Sequence, residues 1–147
     1  MRVKLPDPQE GYSLILCDWS EFEHYWQLNS VQPIDRGELH DAYLSLWFEH
    51  DAEPPLFTPG FASLWPDGYL GFTSGRHRTN LLVKHRADWI PLEIDYDSLT
   101  RLGLQRSRVV RAGQLVDLPD LPIRDPVEMR SGASRCLCCA IARQSWD

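Results

Sequence analysis

One run of sequence decides the fold of this chain, and it reads Asp67-Gly68-Tyr69-Leu70-Gly71-Phe72-Thr73-Ser74-Gly75-Arg76-His77-Arg78-Thr79-Asn80-Leu81-Leu82, with Trp89-Ile90-Pro91-Leu92 close behind. The apolar, aromatic-rich part predicts a strand from Tyr69 to Thr73. A Ser-Gly turn then opens a predicted helix over residues 76–86, and a second strand follows over residues 88–94. This order predicts a right-handed crossover, with its turn at the carboxyl end of the first strand. Ligands of open α/β sheets usually bind there.

Upstream of this run, the sequence predicts a strand and two helices. Residues 12–17 read as a buried strand, and Asp18 or Ser20 can cap a helix that continues to Leu28. Three aromatic residues at helical spacing predict the core face of that helix: Trp19, Phe22 and Trp26. A second helix is predicted from about Glu38 to Phe48, and the proline-rich residues 51–60 read as a long loop.

The whole chain of 147 residues is predicted to form one domain of the α/β (α+β) class, with a small mixed sheet and packed helices. Residues 1–11 read as an extended lead-in. After residue 94 we expect a helical turn over residues 98–102 and short strands at 109–110 and 115–116. Residues 118–147 read as a proline-rich strap that ends in a short helix.

Charge is divided unevenly along the chain. Residues 1–60 hold 3 Lys or Arg against 11 Asp or Glu, whereas residues 61–147 hold 12 against 10. The net charge of −6 argues against a basic coat for nucleic acid, but the second half suits an anion site, because 13 of the 15 basic residues are arginine. No apolar run is long enough for a membrane helix and no secretory signal is recognisable, so we expect a cytoplasmic protein.

The cysteines do not form a recognisable site. Cys136, Cys138 and Cys139 are too closely spaced for a zinc site, and Cys17 stands far from them. We interpret them as reduced thiols, with a redox or metal role as the alternative.

The helix start at residues 74–79 predicts a phosphate site. Free N–H groups in the first turn attract anions, and Gly75 lets a backbone approach a phosphate closely. The predicted contacts come from Ser74, Gly75, Arg76, His77, Arg78 and Thr79. Three residues that can carry positive charge oppose the helix dipole there, which favours a functional role over a salt-bridged helix start.

Hydrolysis of a phosphate ester would also need a divalent ion. Glu93, Asp95 and Asp97 alternate along a predicted strand and would share one face, either solvated or holding Mg²⁺. We predict Asp95 and Asp97 as metal ligands and Glu38, on the upstream helix, as a catalytic group.

A basic stretch after residue 100 predicts weak, salt-sensitive DNA binding through Arg106, Arg108 and Arg111. The alternative is that these arginines only offset the acidic first half.

The run from Gly71 to Thr79, a helix and the Ile90-Pro91-Leu92 strand together resemble the signature of the ParB/sulfiredoxin superfamily. Gln32-Pro33-Ile34-Asp35 resembles the family's first box. Within the superfamily the chain looks most similar to plasmid fertility inhibition factors of the Osa-like type. The specific match covers residues 67–94, about a fifth of the chain.

The resemblance implies a nucleotide whose phosphates lie on Gly75, His77 and Arg78, with His77 and Arg78 in catalysis. Sulfiredoxins carry their reactive cysteine where this chain has Arg76, so reductase chemistry is not expected. Partition-type members carry a further helix-turn-helix domain, for which residues after 94 show no pattern.

Fertility inhibition factors block conjugative DNA transfer through a type IV secretion system. The resemblance therefore implies ATP and Mg²⁺ as cofactors, with possible ATPase and DNase activity on single- or double-stranded DNA. Two alternatives stay open: a non-enzymatic inhibitor that docks on a secretion coupling protein through its acidic half, and a stand-alone non-specific nuclease.

Overall fold

The computed structural model describes residues 1–32, 34, 48–49 and 52–121, and this part of the chain has an α+β fold. Its strands are β1 (Arg2–Lys4), β2 (Tyr12–Cys17), β3 (Phe48–Glu49), β4 (Leu56–Phe57), β5 (Gly60–Leu64), β6 (Leu70–Ser74), β7 (Ile90–Asp95), β8 (Arg108–Val109) and β9 (Leu115–Asp117). Its helices are α1 (Trp19–Gln27), α2 (Arg76–Lys84) and α3 (Tyr96–Leu102). None of these helices is long and apolar enough to cross a membrane.

A five-stranded mixed sheet, in the order β6-β5-β7-β2-β8, carries the motif. The predicted strands and helix of the motif are confirmed, but the predicted crossover between β6 and β7 is wrong. A hairpin turn at residues 65–69 pairs β6 antiparallel with β5, and it is β5 that runs parallel to β7. The parallel connection therefore runs from β5 through β6 and α2 to β7.

The core lies between this sheet and the helices. Strands β2 and β7 are buried almost along their whole length, as expected for central strands covered on both faces. The aromatic stripe of α1 is confirmed as core. Phe22 and Trp26 are completely buried, the Trp26 ring lies 4.6 Å from that of Phe72, and Trp19 is partly buried against them. The cap of this helix is Asp18, whose carboxylate accepts the Ser20 N–H.

Amide side chains close the outer edge of β6. The Gln32 side chain donates to the Phe72 carbonyl at 2.9 Å and accepts the Phe72 N–H at 2.6 Å, as a neighbouring strand would. The buried Asn29 amide donates to the Leu70 carbonyl at 2.7 Å. The segment after α1 thus takes the place of a neighbouring strand at Leu70 and Phe72.

A second, four-stranded sheet has the order β3-β4-β1-β9. Two predictions are corrected here. The lead-in is not merely extended, because β1 pairs with β4 and β9 and completely buries Val3 and Leu5. The loop predicted over residues 51–60 contains β4 and the first residue of β5, since Phe57 is apolar and fully packed.

Several predictions fall wholly or partly outside the described residues. These are the catalytic role of Glu38, the helix predicted from it, and the cysteines Cys136, Cys138 and Cys139. The end of that predicted helix is corrected, since Phe48 begins β3. Beyond β7, the predicted helical turn and two short strands are confirmed as α3, β8 and β9.

Candidate functional site

Two glycine backbones meet at the start of α2. Gly75, the N-cap, has a φ of +81°, which strongly favours glycine, and it makes no side-chain capping bond. A Cβ on Gly75 would lie 2.6 Å from the Gly60 Cα, and a Cβ on Gly60 would lie 2.6 Å from the Thr79 hydroxyl oxygen. Any larger residue at either position would force β5 and α2 apart. The sequence prediction included Gly75 but missed Gly60, although Pro59-Gly60 was a visible turn signal.

Arg78 fastens this junction from inside the protein. Its side chain is only 8% exposed, and its Nε and Nη2 both donate to the Pro59 carbonyl, at 3.0 and 2.7 Å. Burial lowers the pKa of the guanidinium to about 10, although the nearby Glu93 charge acts in the opposite direction. Two of its three nitrogens therefore hold the protein's own backbone, and the predicted phosphate contact of Arg78 would depend on the third.

Glu93 is a buried carboxyl beside this junction. It is 2% exposed, and its Oε2 accepts the Gln9 N–H at 2.9 Å. Burial raises the pKa of this carboxyl above its usual range, partly offset by the Gln9 bond and by the Arg78 charge. Arg78 and Glu93 thus compensate each other electrostatically, while Arg78 donates to the Pro59 carbonyl and Glu93 accepts the Gln9 N–H.

The exposed side of the helix start is basic. Arg76 and His77 are half-buried in the first turn of α2, Ser74 is exposed at the end of β6, and the first turn contains no acidic residue. The helix dipole and its first N–H groups add further positive potential there. This surface can bind an anion with backbone and side-chain donors together.

Thr79, a predicted phosphate contact, is buried. It is 1% exposed, its hydroxyl donates to the Gly75 carbonyl at 3.0 Å, and it packs against Gly60. A phosphate contact through Thr79 stays a prediction that would require this bond to break.

Contrary to the sequence prediction, Glu93, Asp95 and Asp97 do not share one strand face. The strand ends at Asp95, which caps α3 by accepting the Ser98 N–H at 2.9 Å, and Asp97 lies in α3, exposed beside Arg101. Burial raises the pKa of Asp95, but its bonds to Ser98 and Ser63 outweigh this and leave it below its usual range. Within the described ranges, no three His, Cys, Asp or Glu residues are grouped as metal ligands. Binding of Mg²⁺ by Asp95 and Asp97 stays a prediction.

The predicted DNA-binding arginines have different local partners. Arg106 forms ion pairs with Asp18 and Glu21, at 3.6 and 4.0 Å. The Arg108 guanidinium lies 4.4 Å from the centre of the Trp89 ring, and Arg111 is exposed beyond β8. The three residues therefore do not present one uniform charged surface.

Sequence reasoning missed a carboxylate enclosed by backbone. Glu21 accepts the N–H groups of Gln105, Arg106 and Ser107 at 2.7, 2.8 and 2.8 Å, as well as the Ser107 hydroxyl at 2.9 Å. Burial would raise its pKa, but these four bonds prevail and lower it to about 2. The contact spans 84 residues or more, so only the acidic first turn of α1 was visible in the sequence.

Comparison with known proteins returned no match to a family model, to a curated protein or to a solved structure.

Proposed function

We propose that this chain binds the phosphates of a nucleotide at the start of α2, as a domain of the ParB/sulfiredoxin type. The observation that carries the proposal is the basic first turn of a helix whose N-cap, Gly75, makes no side-chain capping bond. A bound anion would accept hydrogen bonds from the first N–H groups of such a turn. Arg76 and His77 provide the side-chain contacts, and Arg78 holds Pro59 and Gly60 in place beneath them.

In the cell, we infer the role of a fertility inhibition factor that blocks conjugative DNA transfer through a type IV secretion system. This inference is supported by the sequence resemblance over residues 67–94, whose predicted strands and helix are present. ATP with Mg²⁺ is the expected ligand, DNA and a secretion coupling protein are the expected partners, and the cytoplasm is the expected location. ATP hydrolysis or DNA cleavage would use His77 with Glu38 as proposed catalytic groups.

A non-enzymatic inhibitor is the second candidate, and the contacts of Arg78 and Thr79 favour it. Arg78, expected in catalysis, and Thr79, expected on a phosphate, both donate to backbone carbonyls of the protein itself. A nucleotide would then act as a regulator of docking on the coupling protein.

The first test is a thermal-melt scan with ATP, CTP and ADP, each with Mg²⁺. A ligand at 100 times its Kd adds about 2.7 kcal/mol, which should raise the Tm by roughly 5–10 °C in a domain of this size. Arg76→Ala should abolish most of this shift. Lys84→Ala is the matched control, because it removes a positive charge from the last turn of the same helix and should preserve the shift.

A protein that shows no shift with any of these nucleotides would contradict the phosphate site. If the shift is confirmed, the same two variants separate the two candidates in donor cells. Loss of both ATP turnover and inhibition of conjugation in Arg76→Ala supports the enzymatic inhibitor. The docking inhibitor is supported if the native chain binds a nucleotide without measurable turnover and still inhibits conjugation.

A further inference from the structure

The open edge of the five-stranded sheet lies at β8, far from the start of α2 in the strand order. The Val110 N–H donates to the Leu14 carbonyl at 2.9 Å, and Val109 lies opposite Ile15. In an antiparallel ladder, hydrogen-bonded and non-hydrogen-bonded pairs alternate, so the N–H and C=O of Val109 point away from β2. Within the described residues, no strand pairs with this outer side.

A cavity of about 200 Å³ lies beside this edge, lined by Ile15, Leu99, Gly103, Leu104, Ser107, Arg108 and Val109. Val109 is 65% exposed, which is high for a valine in a strand. Because Ile15 and Val109 are cross-strand partners, both side chains lie on the same face of the sheet. A residue added opposite Val109 would place its side chain on that face, next to the cavity.

The charge of this edge is positive. Residues 103–116 contain Arg106, Arg108 and Arg111 and no acidic residue. Asp18 and Glu21 compensate Arg106, which leaves Arg108 and Arg111 as the charges nearest the open strand. The Trp89 ring packs against the Arg108 guanidinium, which fixes the position of this charge at the edge strand.

We propose that the β8 edge binds an extended acidic segment of a partner protein by strand addition, with an apolar side chain of that segment opposite Val109. The backbone of Val109 supplies the hydrogen bonds, the cavity takes the apolar side chain, and Arg108 and Arg111 select acidic neighbours. A polypeptide fits better than single-stranded nucleic acid, because the outward backbone groups match a strand. The Trp89 face, which a base would need for stacking, is already occupied by Arg108.

The test uses the full chain and a fluorescein-labelled decapeptide in which glutamate and valine alternate, with binding followed by fluorescence anisotropy. In the proposed register the segment runs antiparallel to β8, so the valine opposite Val109 directs its N–H towards β8, whereas the glutamate N–H groups point away. Methylation of the valine nitrogens should therefore abolish binding, and methylation of the glutamate nitrogens should preserve it. The two methylated peptides have the same charge and composition, so each controls for the other.

Variants of the protein test the same contact from the other side. Val109→Pro removes the outward N–H without removing a bond to β2, and it should weaken binding about tenfold, whereas Val109→Thr should bind as the native chain does. Arg111→Glu should also weaken binding, with an effect that shrinks as salt is added.

Equal binding of the two methylated peptides would overturn the proposal, because the contact would then be electrostatic only. Failure of the unmethylated peptide to bind, or tighter binding of a labelled oligothymidylate of the same length, would overturn it as well. The peptide comparison needs no protein variant, so it holds even if Val109→Pro fails to fold.

Discussion

The first N–H groups of a helix have no partner within the helix, and the helix dipole is positive there. The starts of α1 and α2 meet this condition in opposite ways. Helix α1 begins with the Asp18 carboxylate on its Ser20 N–H and has Glu21 in its first turn, enclosed by the N–H groups of residues 105–107. Helix α2 begins with Gly75, has no side-chain cap, and carries Arg76 and His77 where acidic residues would be stabilising. At α1 the protein supplies its own anions, whereas the first turn of α2 contains basic residues and no acidic one. The difference supports the proposed ligand at α2, since a helix start built for stability alone would resemble α1.

The largest effect should come from filling the glycine junction beneath α2. Gly75→Ala places a Cβ within 2.6 Å of both Arg78 and Gly60 at a positive φ, so we expect a loss of about 3 kcal/mol or more in the free energy of unfolding. Gly68→Ala is the matched control, because Gly68 has a φ of +86° but nothing within 4 Å of the added Cβ. It should lose only about 1 kcal/mol in urea denaturation. Equal losses would show that the close approach of α2 and β5 does not matter.

A smaller loss is expected when Arg78 no longer holds Pro59. Arg78→Met keeps much of the side chain's bulk but leaves the Pro59 carbonyl unbonded and Glu93 without its nearby cation, so we expect a loss of about 2 kcal/mol. Arg101→Met provides the comparison, because Arg101 makes a single bond of 3.2 Å to a carbonyl and its side chain is 42% exposed. It should change stability by less than about 1 kcal/mol in the same denaturation experiment. Similar losses would contradict a fastening role for Arg78.

The Arg78 variant also has a pH signature. Burial raises the pKa of Glu93, so its charged form destabilises the folded state. The free energy of unfolding therefore falls as pH rises from the pKa of Glu93 in the unfolded chain to its higher pKa in the folded protein. Removing the Arg78 charge should raise that pKa further and extend the fall to higher pH. Denaturation of both proteins over a pH series would check this.

The smallest effect at neutral pH should come from Glu21. Its pKa of about 2 lies below its usual 4.5, so its contribution to stability is complete above 4.5 and disappears as pH falls towards 2. Glu21→Gln should be less stable than the native chain at neutral pH, and the two should converge over this acidic window. Thermal melts at several pH values would show it. A gap that stays constant down to pH 2 would contradict the enclosed carboxylate.

Short-range patterns predicted the elements of this fold well. The alternation and turn signals of residues 67–94 and the aromatic stripe of α1 correctly predicted strands and helices, because those signals are local. The pairing of β5 between β6 and β7 could not be read in this way, since it depends on a hairpin whose first strand begins at the end of a proline-rich stretch.

The candidate site was predictable only in part. Gly75 and the basic helix start were visible as a motif, whereas the contacts of Arg78 with Pro59 and of Glu21 with residues 105–107 join distant parts of the chain. Charge alone made Arg76 and Arg78 look equivalent. Burial separates them, because Arg78 packs inside the junction and Arg76 remains half-buried at its surface.

The amide of Gln32 on Phe72 has a consequence for how copies of this protein can associate. An edge strand whose polar groups are already matched by a side chain offers no template for a further strand. In the described part of the chain, the five-stranded sheet can therefore lengthen only at β8, and a strand added there terminates it. If two copies pair through β8, each five-stranded sheet then ends at an edge covered by Gln32, so this sheet grows to a pair and not to a fibre.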